Sequence, residues 1–180
     1  MDYKKLEDNL TDVILEAQLK LGYEGRSMSM NYPLQSLNRL LGTSEDGEGM
    51  KRLLDGFADF VQERLGRVEY SRHDGDIFRL CVPEKGVEYI HGLSGSASSG
   101  FLAELIAQVK QPGTTMEQVL EIFRRHSDRV HVEDSDSGEF DKLVYFEDGI
   151  PDDHLYCLTD EGICVTYHRF TREDYTDLGF

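Results

Sequence analysis

The chain has 180 residues, with 19 Lys and Arg against 35 Asp and Glu, for a net charge of −16. Such a field repels nucleic-acid phosphates and anionic membranes, and it favours cationic partners or divalent ions. No apolar run approaches the ~18 residues needed to cross a bilayer, and the opening MDYKKLEDNL lacks the apolar core of a signal peptide, so a cytoplasmic protein is expected.

A chain of this length can bury a core as one large domain or two small ones. Its charge is uneven. Residues 1–91 carry 12 basic and 17 acidic side chains, and residues 92–180 carry 7 and 18. Beyond Ser127, 15 acids face 4 bases. The three cysteines, Cys81, Cys157 and Cys164, are odd in number and lack metal-ligand spacing, which points to reduced thiols.

The first element predicted is a helix over 2–21. Asp2 is placed to cap it, Leu6, Leu10, Val13, Ile14, Ala17 and Leu21 form its apolar stripe, and Gly22 ends it. A loop is expected from Tyr23 to Asn31. Pro33 opens a second helix bearing Leu34, Leu37, Leu40 and Leu41, which Gly42 stops. After the acidic loop Thr43–Gly49, a third helix carries Met50, Leu53, Leu54, Phe57, Val61 and Leu65 on one side and ends at Gly66. A hairpin follows, Val68–Arg72 and Ile77–Val82 around Asp74-Gly75. A third strand, Val87–His91, is expected beside it.

Three helices followed by a two-stranded wing is the order of a winged helix. The third helix would then be the reader of DNA. Its exposed positions include Lys51 and Arg52 but also Asp55, Asp59 and Glu63, so it has no basic stripe. Nucleic-acid binding is therefore disfavoured, and a protein-interaction or structural module is expected of residues 1–91.

Residues 92–100, GLSGSASSG, have the composition of a flexible linker. They precede a helix over Phe101–Val109 but lack the Gly-Lys-Ser/Thr ending of a phosphate-binding loop. Thr114-Thr-Met-Glu117 is read as a capping box for a helix running to His126, with Val119, Ile122 and Phe123 on its buried side. Arg129–Glu133 reads as a strand. Asp134–Gly138 reads as a solvated turn, because the distal Glu of a calcium loop is missing.

Three more strands are predicted: Leu143–Glu147, His154–Thr159 and Ile163–Phe170. The turn Thr159-Asp160-Glu161-Gly162 suggests a three-residue loop with Gly162 at positive φ. Thr159 would then face Ile163, Tyr156 would face Thr166, and His154 would face His168. Leu155, Cys157, Ile163, Val165 and Tyr167 would form the core face. His154, Tyr156, Leu158, Cys164, Thr166 and His168 would form the other, which leaves Cys157 and Cys164 on opposite faces and unbridged. The fold class is thus α+β: a three-helix, winged-helix-like half with a small hairpin at 1–91, a linker at 92–100, and two helices with a four-stranded antiparallel meander at 101–180.

DDHLYCLTDEG, TYHRF and Asp174-Tyr175, together with Ser29-Met30-Asn31-Tyr32-Pro33-Leu34, resemble a small family of uncharacterised bacterial proteins, a domain of unknown function. The resemblance extends through most of the chain. It implies no activity, cofactor or catalytic residue.

The candidate ligand-binding residues are His154, Tyr156, Thr166, His168 and Arg169. A titratable pair, a phenol and a hydroxyl would share one strip of sheet beside acidic loops. Two imidazoles and a carboxylate can hold zinc or iron, but nearby negative charge favours protonated imidazole, which a metal cannot use. No metal or other cofactor is therefore expected. Arg169 and Arg172 would pair with Glu173 or Asp174, or receive an anionic ligand. The leading expectation is a non-catalytic binding or interaction module with an acidic face, whose partner is another protein or a small polar ligand. The rivals are a metal-assisted hydrolase built on His154 and His168, and a winged-helix nucleic-acid binder.

Overall fold

The computed structural model describes residues 1–95 and 97–177, with no account of the side chains of Ala97, Ser98 and Asp177. It divides into two compact units, Met1–Ser94 and Gly95–Phe180. The chain is α+β, with an antiparallel three-stranded sheet in the first unit and a four-stranded antiparallel meander in the second.

The first unit runs α1 (Tyr3–Leu21), β1 (Met28–Pro33), α2 (Leu34–Leu41), α3 (Gly47–Leu65), β2 (Glu69–His73), β3 (Ile77–Val82) and α4 (Glu84–Gly92). The strand order is β1-β3-β2. Asp2 caps α1 by accepting from Lys5 N–H. Asp46 caps α3 by accepting from Gly49 N–H at 2.7 Å, so α3 begins ahead of the expected Met50. Leu6, Leu10 and Ile14 of α1 pack with Leu37 and Leu41 of α2, with Met50, Phe57, Val61 and Leu65 of α3, and with Phe78, Leu80 and Val82 of β3.

Three expectations for this unit are corrected. The stretch expected as a loop at 23–31 ends in β1, which pairs Met28 with Val82 and Tyr32 with Phe78. Its alternation of Met28, Met30 and Tyr32 toward the core was the available signal. Val87–His91 is not a strand but part of α4; Val87 and Ile90, spaced by three, are its buried residues. The buried row of α1 is Leu6, Leu10, Ile14 and Gln18, while Val13 and Leu21 face solvent. A row at intervals of four is narrower than the stripe expected.

The second unit runs α5 (Ala97–Val109), α6 (Met116–His126), β4 (Val130–Asp134), β5 (Lys142–Phe146), β6 (Leu155–Asp160), β7 (Val165–Phe170) and α7 (Arg172–Asp177). The segment expected as linker therefore holds the end of α4, a turn, and the first turn of α5, with Ser96 outside the described residues. Ala and Ser tolerate helix, and Ser99 is buried. The capping box of α6 sits one residue later than expected. Thr115 accepts from Gln118 N–H, and the Gln118 side chain accepts from Thr115 N–H.

Rings of α5 and α6 meet one face of the meander. Phe101 lies edge-on to Phe146 at 4.9 Å and to Tyr156 at 5.7 Å, and Phe123 edge-on to Tyr156 at 5.1 Å. The opposite face carries a smaller cluster of Phe140, Leu143, Leu155 and Cys157, with Tyr145, Phe170 and Tyr175 against it. Both faces of β6 are consequently covered, and Leu155, Tyr156, Cys157 and Leu158 are buried in succession.

The expected register fails because the β6–β7 loop is longer than the three residues read from the turn, and a strand buried on both faces offers no alternation to check it. Cys157, not His154, lies opposite His168, and Tyr156 lies opposite Arg169. The last pair is Asp160 with Val165, and a four-residue loop closes on Glu161 N–H donating to Cys164 O at 2.9 Å. Gly162 takes φ +81, as expected, but within a longer loop. The shift is three residues. An odd shift exchanges the faces of β7 relative to β6. Val165 and Tyr167 therefore join Tyr156 and Leu158, and Leu155 and Cys157 join His168 and Phe170. Ile163, expected in the core, is at the loop and 79% exposed.

Candidate functional site

Three of the five candidate residues converge, and they converge on Asp152. Pro151 and Asp152 belong to the connection before β6. Tyr156 is on β6, and its backbone partner Arg169 is on β7, so these two side chains share a face. The Asp152 side chain is fully buried. Its Oδ1 accepts from the His154 backbone N–H at 3.0 Å and from His154 Nδ1 at 2.6 Å. Its Oδ2 accepts from Tyr156 Oη at 3.0 Å and from Arg169 Nη2 at 2.7 Å. The Asp-x-His spacing lets one carboxylate oxygen serve both the backbone and the ring of the residue two positions on.

Burial acts most strongly on Asp152 and opposes its ionisation. The His154 hydrogen bond, the charges of Arg169 and His154, and the Tyr156 hydroxyl together outweigh it and hold the carboxyl well below the usual carboxylate range. Tyr156 moves the other way. Burial and the adjacent Asp152 carboxylate raise its phenol well above the ordinary value, and Arg169 opposes this in part.

The arrangement is a closed polar network. Only His154 retains appreciable exposure, at 22% of its side chain, against 4% for Arg169. At least four donors occupy the carboxylate, so its chemistry is to hold the Asp152 loop and β7 to β6.

The other candidates lie elsewhere. Thr166 is exposed opposite Thr159. His168 is exposed on the sheet face that carries Cys157, and its ring stacks near Phe170 at 6.3 Å. The strip of two facing imidazoles does not form. Among the described residues no group of three or more His, Cys, Asp or Glu side chains is arranged to hold a metal ion. Both arginines expected to pair with nearby acids do find carboxylates. Arg169 pairs with Asp152, and Arg172 pairs with Asp153 at 2.9 Å while donating to Phe146 O.

A second feature lies in the first unit, between α3 and β2. A groove of about 680 Å³ is lined by Asp55, Asp59, Arg67, Glu69 and Tyr70, with Ala58, Gln62 and Val68 between them. The Tyr70 hydroxyl donates toward Asp55 Oδ1 at 2.8 Å and Lys51 O at 3.0 Å. Desolvation first, then the Asp55 hydrogen bond and charge, push this phenol up to about 12. Two other cations of α3 and β2 are engaged: Lys51 pairs with Glu48, and Arg72 with Glu48 and Asp76. Asp55 and Asp59 were visible in the sequence as acids on the third helix. Glu69 and Arg67 completed the groove only once β2 was placed.

No curated protein and no solved structure matches the chain. One family does, over residues 3–179, under the description "Domain of unknown function, E. rectale Gene description (DUF3877)", and the chain belongs to that bacterial family.

Proposed function

We propose that the chain is a non-catalytic interaction module that binds a basic, Lys/Arg-rich segment of another protein in the α3–β2 groove. The observation that carries this reading is the lining of the groove, where three carboxylates, Asp55, Asp59 and Glu69, stand against one guanidinium, Arg67. The first unit supports a winged-helix reading, because its helices and strands follow the order α1-β1-α2-α3-β2-β3 with β3 central in the sheet. In such a fold the third helix and the wing form the face that a DNA reader sets in a groove. Here that face is acidic, and phosphates require cations.

An extended basic segment can lie along the groove, its ammonium and guanidinium groups reaching the carboxylates. Exposed pairs of this kind are worth roughly 0.2–1 kcal/mol each. Three of them tune a weak, salt-sensitive association rather than create a tight one. The hydrolase reading requires His154 and His168 side by side, and nothing in the register supports it.

The test is fluorescence anisotropy with a labelled lysine-rich peptide and, separately, a labelled duplex DNA. The reading expects peptide binding that weakens with salt and no DNA binding near physiological ionic strength. The variant Asp55→Asn/Asp59→Asn/Glu69→Gln should weaken peptide binding at least fivefold. A control on α6, Glu117→Gln/Glu121→Gln, should change it less than twofold. Equal effects of the two variants would reduce the binding to bulk attraction by net charge and overturn the assignment of the groove.

A further inference from the structure

β2 is an edge strand: it pairs with β3 and with no other strand among the described residues. The free side of an edge carries main-chain donors and acceptors from every second residue, and the register says which residues these are. Leu34 N–H donates to Asp76 O at 2.8 Å, one step beyond the last β1–β3 pair, Pro33 with Ile77. Directly opposite residues that share such a bond alternate with pairs that share none. Tyr32–Phe78 and Met30–Leu80 are therefore bonded pairs, and Pro33–Ile77, where Pro33 has no N–H to give, is not. Phe78 and Leu80 turn their main chain to β1. Ile77, Arg79 and Cys81 then turn theirs to β2, where they meet His73, Ser71 and Glu69. That leaves the N–H and C=O of Tyr70 and Arg72 on the open side.

The open side borders the groove against α3. Glu69 and Tyr70 line it from β2, and Asp55 and Asp59, about one helical turn apart, line it from α3. β2 itself is exposed at Glu69, Ser71, Arg72 and His73. The Tyr70 side chain lies on the α3 side of the sheet, since its hydroxyl donates to Asp55. A strand laid beside β2 puts the side chain opposite Tyr70 on that same side, toward Asp55 and Asp59. Its neighbours in sequence fall on the other side, beside Glu69. Both sides offer carboxylates, so consecutive cationic residues are accepted.

We propose, resting on the function given to the groove above, that the basic segment binds there by strand addition. It extends the three-stranded sheet as a fourth strand, hydrogen-bonded to the main chain of Tyr70 and Arg72, with its Lys and Arg side chains on Asp55, Asp59 and Glu69. Main-chain bonds supply attachment, and the carboxylates supply the choice of sequence. This separates the partner from a polycation held by net charge alone: it must reach the edge in extended form and bring its own amide N–H groups. A second copy of the chain is the other occupant an edge can take, but two copies would bring the same carboxylates together, like charge against like.

The full chain is titrated with the labelled lysine-rich peptide and with the same peptide N-methylated at every backbone amide, which keeps the charges and removes the donors. Affinity at least tenfold lower for the methylated peptide is the expected result. In parallel, amide hydrogen exchange at Tyr70 and Arg72, followed by NMR, should slow at least tenfold when the parent peptide saturates the protein. Suppose the parent peptide binds and responds to Asp55→Asn/Asp59→Asn/Glu69→Gln, while the methylated peptide binds within twofold of it and the two amides exchange at their free rates. Strand addition is then overturned and the groove keeps its proposed function. No peptide binding, or binding indifferent to that variant, overturns both. Slow exchange at Tyr70 and Arg72 that grows with protein concentration in the absence of peptide gives the edge to a second copy and also overturns strand addition by the basic segment.

Discussion

Replacing Asp152 with Ala tests whether the buried network holds the second unit together. The substitution strips at least four hydrogen bonds at once and takes the Asp152 carboxylate from Arg169, whose side chain is 4% exposed. Breaking a buried pair from one side costs about 3–5 kcal/mol, because the remaining charge stays desolvated. The two side chains are too buried for solvent to screen that loss. The double variant Asp152→Ala/Arg169→Met also removes the buried guanidinium that Asp152 served and should be more stable than Asp152→Ala alone. The pH dependence has a definite sign. The folded-state carboxyl lies below its unfolded value, so ionised Asp152 stabilises fully above an unfolded value of about 3.9 and progressively less as the pH falls from there towards the folded value. Asp152→Asn should lose that acid-side slope. Because the chain forms two compact units that need not unfold together, the assay is urea-dependent hydrogen exchange of β6 and β7 peptides, read apart from those of β3. A loss under about 1 kcal/mol for Asp152→Ala, with the double variant no better and the acid slope unchanged, would refute the reasoning.

Gly86→Ala should destabilise the first unit by about 1–3 kcal/mol, since a Cβ there would meet Leu65 O at 2.4 Å and Val82 Cγ1 at 2.6 Å; thermal denaturation followed by circular dichroism checks it. Val165→Asp puts a charge at a position 1% exposed, where nothing in the register offers a cation, and should abolish the dispersed methyl resonances of the second unit. The Cys157 thiol is pushed up to about 11 by burial. In the native protein at pH 8 it should therefore resist iodoacetamide, and it should react in urea at the rate of an ordinary thiol. Fast native labelling of Cys157 would place it outside the cluster with Phe140 and Leu143.

Much of the architecture was legible because its signals are local. Gly22, Gly42 and Gly66 end the first three helices, and Asp74-Gly75 lies at the β2–β3 turn. The errors arose where a residue's environment is set by something distant. Val87 and Ile90 suit a strand or a short helix equally, and only their packing on the α1–α3 core decides it. The β6–β7 register was inferred from the turn, read as a three-residue loop, and alternation could not check it in a strand buried on both faces, as Leu155 to Leu158 are. The site followed the register. His154, Tyr156 and Arg169 were selected for chemical capability and do meet, but around Asp152, which the sequence offered as one acid among several. Thr166 and His168 were joined to them by the register as well as by chemistry, and the observed register sets both on the other face of the sheet.

The charge of the chain and its fold have a common explanation in where its cations sit. At least twelve of the 19 Lys and Arg are paired with carboxylates, among them Lys4, Lys20, Arg26, Lys51, Arg64 and Arg72 in the first unit and Arg124, Arg125, Arg129, Lys142, Arg169 and Arg172 in the second. Some of these tie elements that are far apart in sequence: Arg64 of α3 reaches Glu7 of α1 at 2.5 Å, and Arg169 reaches Asp152. A polyanion would have to displace such contacts before it could be neutralised. Its affinity scales with the number of cations it can recruit, about 0.9 in logarithmic salt slope per phosphate on duplex DNA. With few cations to recruit, that slope and the affinity both collapse. A basic segment meets the reverse situation, because a carboxylate accepts several donors at once, and Asp55 can keep Tyr70 while it takes a lysine. On the function proposed for the groove, the asymmetry of the surface would select partners by sign, with the internal ion pairs engaging cations that would otherwise blur it.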